Sequence, residues 1–445
     1  MQLNSIRQSI NKVNRKRKKS VLDVYVGVTK VGTYSYEASG TTSFRYEQAW
    51  ISSDLAFPIS LSIPLSNRVY SGESAANFFD GLLPDDRIVR EKIASREHAR
   101  SAGIFDLLSV IGRDCVGALR FIPEGDDPGD PAKMAYRPVS EDEIAMRIAS
   151  LENNPLGMQS DDDDFRISIA GVQEKTAFLY INDRWQLPLG ATPTSHIFKP
   201  AMRERPSGAD LSDSPWNEWV CLALCNNFGL ETAKAEIKII NGLPVIVVER
   251  FDRLWQGGVL YRVPQEDLCQ ALGYPPFQKY QSDGGPGILS ILKLLTNAVA
   301  PHEDRLKYFK AQIVFWLLAA IDGHAKNFSI FLTQSGYSLA PLYNVMSAAP
   351  YHPKLSSHKV KLAMAMGDDQ HYRVKEILPR HIYQTGKKSG FADDDIDHIF
   401  SDLTGQMGKV LASVAIQAAK AGVPVTTSEP IIEGVSKRAK LIKSI

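Results

Sequence analysis

Cysteine is scarce in this chain: four in 445 residues (Cys115, Cys221, Cys225 and Cys269), too few to staple a fold of this size with disulfides. Cys221 and Cys225 lie four apart, a spacing that shares a helix face, but no second Cys or His pair at zinc-site spacing accompanies them, so they read as core thiols. Long apolar runs are lacking as well. The longest, residues 313–321, falls far short of the roughly 20 residues that span a bilayer. The N-terminal stretch is basic but has no apolar segment of signal-peptide length behind it. Glycine loops that cradle phosphates are missing too, since neither a Walker A pattern nor G-x-G-x-x-G occurs. These absences point to a soluble protein of a reducing compartment with no membrane partner.

What is present is a core-forming composition, 44% hydrophobic and 23% charged, which excludes disorder throughout and a collagen-like chain. The formal net charge is +1, but residues 1–20 hold seven basic groups and no acid, leaving 44 basic against 50 acidic residues elsewhere. A basic, flexible arm on a nearly neutral body is expected. Leu22-Asp23-Val24-Tyr25-Val26 alternates as a strand does, and Lys30-Val31-Gly32 reads as a turn. Residues 75–83 and 85–93 look helical, with Asp85 and Asp86 placed for a helix start. Turn-rich residues 124–131 mark a boundary, and residues 160–164 form an acidic loop. There is no internal repeat.

From residue 165 the pattern sharpens. A loop (Ser168-Ile169-Ala170-Gly171-Val172-Gln173) leads to strands at 176–181, 185–187 and 196–199, the last carrying Lys199. A helix over 215–228 carries Glu218 and ends at Gly229. Residues 235–240 and 243–248 flank Asn241-Gly242, a strong hairpin signal. Beyond Arg253 the chain turns helical, with periods over 289–299, 303–321 and 393–419. Inside that half sits Asp322-Gly323-His324-Ala325-Lys326-Asn327, followed by a compact hairpin and Leu342-Tyr343-Asn344. An Asp with an Asn five residues on, and a further oxygen ligand returned by a hairpin, is the logic of a kinase centre: a base for the substrate hydroxyl and ligands for Mg²⁺. The spacing alone also suits a helix end capped by an Asp.

Five segments carry a family resemblance. Phe165-Arg166-Ile167-Ser168-Ile169-Ala170-Gly171-Val172-Gln173-Glu174-Lys175-Thr176 resembles the signature loop of the HipA toxin kinases. So do Val248-Glu249-Arg250-Phe251-Asp252-Arg253, Pro264-Gln265-Glu266-Asp267, Ser282-Asp283-Gly284-Gly285-Pro286-Gly287 and the Asp322 to Asn327 run with Phe328, in the family's order from about residue 21 to about 420. The resemblance implies an α+β, two-lobed protein-kinase-like fold. Its parts would be a basic arm (1–20), a β-rich N-terminal subdomain (21–140), a kinase N-lobe with the phosphate loop (141–253) and an α-helical C-lobe with the catalytic loop (254–445).

It further implies a serine/threonine protein kinase using ATP and Mg²⁺, the toxin of a bacterial toxin–antitoxin pair. Lys199, paired with Glu218, would neutralise the α/β-phosphates, with Ile169, Ala170, Gly171, Val172 and Gln173 as the loop over them. Glu249, Phe251, Asp252, Gln265 and Tyr343 would face the nucleotide, Asp252 accepting from a ribose hydroxyl. Asp322 would be the general base and Asn327 and Asn344 the metal ligands. His324 and Lys326 would flank them, Lys326 either offsetting phosphate charge or serving structure. Ser168 would be autophosphorylated, expelling the loop and silencing the kinase. The family normally has Asp where this chain has Asn344; a neutral single oxygen there predicts retained ATP binding with weakened metal binding and turnover. Implied partners are a HipB-like helix-turn-helix antitoxin, operator DNA through that complex, and a translation-related protein substrate such as glutamyl-tRNA synthetase. The place would be the bacterial cytoplasm, on the nucleoid when DNA-bound. Two other readings stay open: a weakened kinase acting mainly as a co-repressor, and a small-molecule kinase.

Overall fold

The computed structural model of the chain describes residues 19–159, 166–171, 173–202, 210–351 and 360–442. The basic arm up to residue 18, the acidic loop, Phe165 and Val172 lie outside the described residues. The N-terminal sheet is built from β1 (Ser20–Val26), β2 (Thr29–Tyr36), β3 (Thr42–Tyr46), β4 (Tyr70–Ser71) and β5 (Leu119–Pro123), in the antiparallel order β4-β3-β2-β1-β5. Leu22 and Val24 point inward, as their alternation requires. The first reversal is at Gly27, at φ +58°, and not at Lys30-Val31-Gly32, which lies inside β2. Gly32 is small for packing reasons: a Cβ there would sit 2.4 Å from the Phe44 ring. Helices Glu73–Asp80 and Ile104–Ile111 cover the sheet, Phe79 stacking on Tyr34 at 4.0 Å. Asp86 caps the helix Arg87–Arg96 by accepting from Ile88 N at 2.7 Å.

The second sheet has six strands: β6 (Ala135–Pro138), β7 (Thr176–Ile181), β8 (Arg184–Leu189), β9 (His196–Pro200), β10 (Ala235–Ile240) and β11 (Leu243–Glu249), in the order β10-β11-β9-β7-β8-β6. Because β6 pairs with β8, this second sheet draws in residues ahead of position 140. Asn241 and Gly242 both take positive φ, the two-residue turn that matches strand twist. The helix Ser214–Asn227 packs on this sheet, burying Cys221 and Cys225 as separate core thiols.

A short ribbon of β12 (Arg253–Gln256) and β13 (Val259–Arg262) leads into the C-lobe. This lobe rests on the helices Pro301–Leu318, Asp393–Lys420 and Val425–Ile442. It is less purely helical than its sequence suggests. β14 (Gln265–Asp267), β15 (Ser329–Thr333) and β16 (Gly336–Leu339) form a small sheet, and β17 (Lys361–Met366) pairs with β18 (His371–Arg373). Among the described residues no helix is long and apolar enough to cross a membrane.

Two buried polar features hold the N-terminal sheet region to the rest of the molecule. Asp114 accepts from Arg253 (2.9 Å), Arg262 (3.0 Å) and Thr194 (2.7 Å) and lies 3.4 Å from Arg250. These guanidiniums hold its carboxyl far below the usual range despite burial. Glu266 on β14 is fully buried and accepts from Leu61 N at 2.8 Å. Burial first, then neighbouring Asp267, pushes its carboxyl up to about 8. The folded protein therefore keeps a proton that the unfolded chain releases above its ordinary carboxylate value, so stability falls as pH rises from about 4.5 to 8. At pH 7 this costs on the order of 3 kcal/mol. Glu266→Gln is expected to raise the melting temperature at pH 7–8 and leave it unchanged near pH 4. A variant less stable than the parent at pH 8 would contradict the assignment.

Candidate active site

Between the lobes lies a cleft of about 920 Å³. On its upper wall β9 carries Lys199, held in register by its pairing with Ile246 of β11. The Lys199 ammonium bonds Glu218 Oε1 at 2.7 Å, both side chains being buried. The pairing fixes the lysine head group in the cleft.

The lower wall begins where helix Pro301–Leu318 ends at Ala319, in the left-handed conformation. Asp322 follows, and Asn327 donates from Nδ2 to the Asp322 carbonyl at 2.6 Å, closing the loop on itself. Gly323 lies so close to Phe315 that a Cβ would be 2.5 Å from that ring. The β15–β16 hairpin then brings Asn344 back beside Asn327, its Nδ2 donating to Asn327 Oδ1 at 3.1 Å. Asn344 Oδ1 in turn accepts from Lys199 at 3.3 Å. The residue sits at φ +56°, a region that Asn and Asp tolerate better than most. The donor set suits Mg²⁺ in kind, since Asn327 and Asn344 offer hard oxygens and Asp322 a carboxylate; nucleotide phosphates would have to supply the remaining charge. Among the described residues no group of three His, Cys, Asp or Glu could hold a metal.

The loop residues Ile169, Ala170, Gly171 and Gln173 line the cleft. Gly171, at φ +106°, bridges to Pro84 of the N-terminal domain, and Gln173 donates to the Pro200 carbonyl at 3.2 Å. Ser168 is fully buried, its hydroxyl donating to the Leu82 carbonyl at 2.7 Å and its amide to the Asp114 carbonyl at 3.0 Å. On the hinge side Phe251 packs against Phe331 and Tyr343 (ring centroids 5.8 and 5.5 Å), giving an apolar wall, and Glu249 is half-exposed beside Lys234. Gln265 donates to Ser329 at 3.2 Å, and the Tyr343 phenol reaches the Lys326 carbonyl at 2.8 Å.

Asp252 lines the cleft, but its carboxylate already accepts from Arg250, Arg253 and the Gly117 amide at 2.8–3.0 Å. Of the two roles open to Lys326, its contacts favour the structural one. It is buried between Asp267 (3.1 Å) and Asp85 (3.7 Å), which outweigh burial and hold its ammonium above the usual lysine range. His324 is buried, and burial lowers its ring to about 4, so it is a neutral group 3.6 Å from Asp322.

Sequence reasoning missed Asp85, Lys175, Asp267, Lys279 and Tyr280, all of which line the cleft. Lys175 bonds the Ala170 carbonyl at 2.7 Å; burial first, then Lys199, lowers its ammonium to about 7. It stood in the quoted loop motif, and Lys279-Tyr280 stood just ahead of another, so proximity to a motif was the available signal.

The comparisons with known proteins agree with this geometry. Residues 22–122 match the HipA N-terminal domain and residues 167–411 the HipA-like C-terminal domain. The chain is 31% identical over 428 residues to Y4mE of Sinorhizobium fredii, whose name suggests a kinase, covering 95% of this chain and 98% of that one. It is 28% identical over 366 residues to the serine/threonine-protein kinase toxin HipA of Shewanella oneidensis, covering 78% and 79%. The fold matches the HipA chain in a Shewanella oneidensis complex of HipA, HipB and operator DNA, with TM-score 0.78 and 23% identity over 95% of this chain and 98% of that one. With its two-lobed kinase-like fold and both domains matched in order, this chain belongs to the HipA family, whose members include kinase toxins.

Proposed function

We propose that this protein transfers the γ-phosphate of ATP, with Mg²⁺, to a serine of a translation-related protein, and that a HipB-like antitoxin neutralises it. The observation that carries the reading is the convergence of the Lys199–Glu218 pair with Asp322, Asn327 and Asn344 across one cleft. Lys199 would hold the α/β-phosphates, Asp322 would take the proton of the attacking hydroxyl, and the two Asn oxygens would hold the metal. The Phe251–Tyr343 wall would stack on the base.

The burial of Ser168 supports self-inactivation through that residue. A phosphate of charge about −1.5 to −2 has no room where the hydroxyl touches the Leu82 carbonyl. The loop must leave the cleft before Ser168 is phosphorylated, and it cannot return afterwards. Intact mass before and after incubation with Mg²⁺-ATP, with site mapping, is the test. One added phosphate on Ser168 is expected, and a Ser168→Ala protein should gain none there. Equal phosphate on Ser168→Ala would overturn the self-inactivation.

A second reading rests on Asn344. If the neutral ligand suppresses turnover, the remaining role is antitoxin-dependent binding of operator DNA. This parallels the complex formed by the Shewanella oneidensis protein. Absence of any mass change would favour that role.

A further inference from the structure

The N-terminal domain reaches into the kinase cleft. Asp85, one residue before the helix Arg87–Arg96 and its cap, accepts from the Lys279 ammonium at 2.9 Å and lies 3.7 Å from the Lys326 ammonium. Those lysines draw its carboxyl below the ordinary range although burial opposes them, so it is a carboxylate in the assembled cleft. Lys279 belongs to a segment that grips the catalytic loop, and Lys326 to the loop itself. The Lys279 carbonyl accepts from the Ala325 amide at 3.4 Å. The next residue, Tyr280, donates from its phenol to Asp322 Oδ1 and stands edge-on to His324, with ring centroids 4.9 Å apart. Lys326 lies within the loop, four residues after Asp322.

We propose, on the kinase reading above, that Asp85 and Tyr280 are positioning residues for Asp322. The acid from the N-terminal domain fixes Lys279 and Lys326, Lys279 carries Tyr280 with it, and the Tyr280 phenol holds one oxygen of the base, leaving Oδ2 for the substrate hydroxyl. The need for such a hold is physical. Asp322 follows a helix end on a loop, and its side chain is 43% exposed, so without a donor on Oδ1 its carboxylate would rotate freely. A displacement of about 1 Å in a reacting group costs about a hundredfold in rate. The N-terminal domain is thus part of the catalytic apparatus, and a partner that shifts the turn at residues 81–86 alters the position of the base.

Tyr280→Phe and Asp85→Asn test this in the full chain. Each is expected to lower kcat by about 10- to 100-fold with the KM for ATP changed less than about twofold. The double variant should be no slower than the slower single one, because both act through one carboxylate. Asp85→Glu should recover part of the rate. Hydrogen exchange gives a readout that does not depend on turnover. Amides of residues 322–328 should exchange faster in both variants, while those of helix Pro301–Leu318 should not change. Unchanged exchange at 322–328, or fully additive losses of kcat, would overturn the proposal. A parent protein that binds no ATP would instead overturn the kinase reading, and the exchange result would still decide whether Asp85 and Tyr280 order the loop.

Discussion

Replacing Asp322 by Asn is expected to slow phosphoryl transfer by about 10²- to 10⁴-fold, the usual worth of a positioned general base, while ATP affinity stays within about twofold. The substitution is nearly isosteric. An Asn side chain still presents an oxygen to the Tyr280 phenol, and the Asn327 bond goes to the backbone carbonyl of residue 322, so neither contact depends on the charge. What disappears is the ability to accept the proton of the attacking hydroxyl. ATP would be held elsewhere, by Lys199 with Glu218 and by the loop around Gly171. Initial rates with γ-labelled ATP, beside calorimetric titration of the same variant, separate the two effects. A loss below tenfold would mean that Asp322 is not the base. A parallel loss of ATP affinity would mean that its charge serves the metal rather than the proton.

The parts of this site that were legible in the sequence are those whose geometry is local. The Asn241-Gly242 turn announced its hairpin because both residues tolerate positive φ. A lysine on a strand followed by an acid on the next helix placed Lys199 and Glu218 together, since a strand and the helix packed on it meet over a short connection. The Asp322 to Asn344 reversal was readable for the same reason: a compact hairpin has only one way to return the chain. What stayed hidden was set by distant pairings. β6 joins β8 across about fifty residues, so nothing near residue 135 marks it as part of the kinase sheet. Asp85 looked like one of two helix-starting acids; only Asp86 caps the helix, and Asp85 turns away to Lys279, nearly two hundred residues on. What the sequence could not show of Asp252 is that its neighbours Arg250 and Arg253 fold onto its carboxylate together with the Gly117 amide, and that Asp114, from the same distant segment as Gly117, shares both arginines. Gly32 was read as a turn because a glycine that yields to a neighbouring ring looks, in one dimension, like a glycine that bends the chain.

The second large effect runs in the opposite direction. Asn344→Asp is expected to raise turnover by at least about 10- to 100-fold, the scale on which even groups behind a metal's ligands act, and to lower the Mg²⁺ concentration needed for half-maximal rate. In the present arrangement the Asn344 amide spends its NH₂ on Asn327 Oδ1 at 3.1 Å and its oxygen on Lys199 at 3.3 Å, so the two side chains proposed as metal ligands partly satisfy one another. A carboxylate cannot donate. It would release Asn327 Oδ1, add a second oxygen and bring a negative charge, all of which favour a small hard cation. The backbone raises no obstacle, because at φ +56° Asp is tolerated as Asn is. The added charge would sit near Lys199, whose ammonium already answers to Glu218, so nucleotide binding measured without metal should change little. Equal turnover in the two proteins would mean that residue 344 carries no metal in the reaction. A rise confined to metal affinity, with no gain in the rate at saturating Mg²⁺, would place residue 344 in metal capture and leave stabilisation of the transferring phosphoryl group to Lys199 and Asn327.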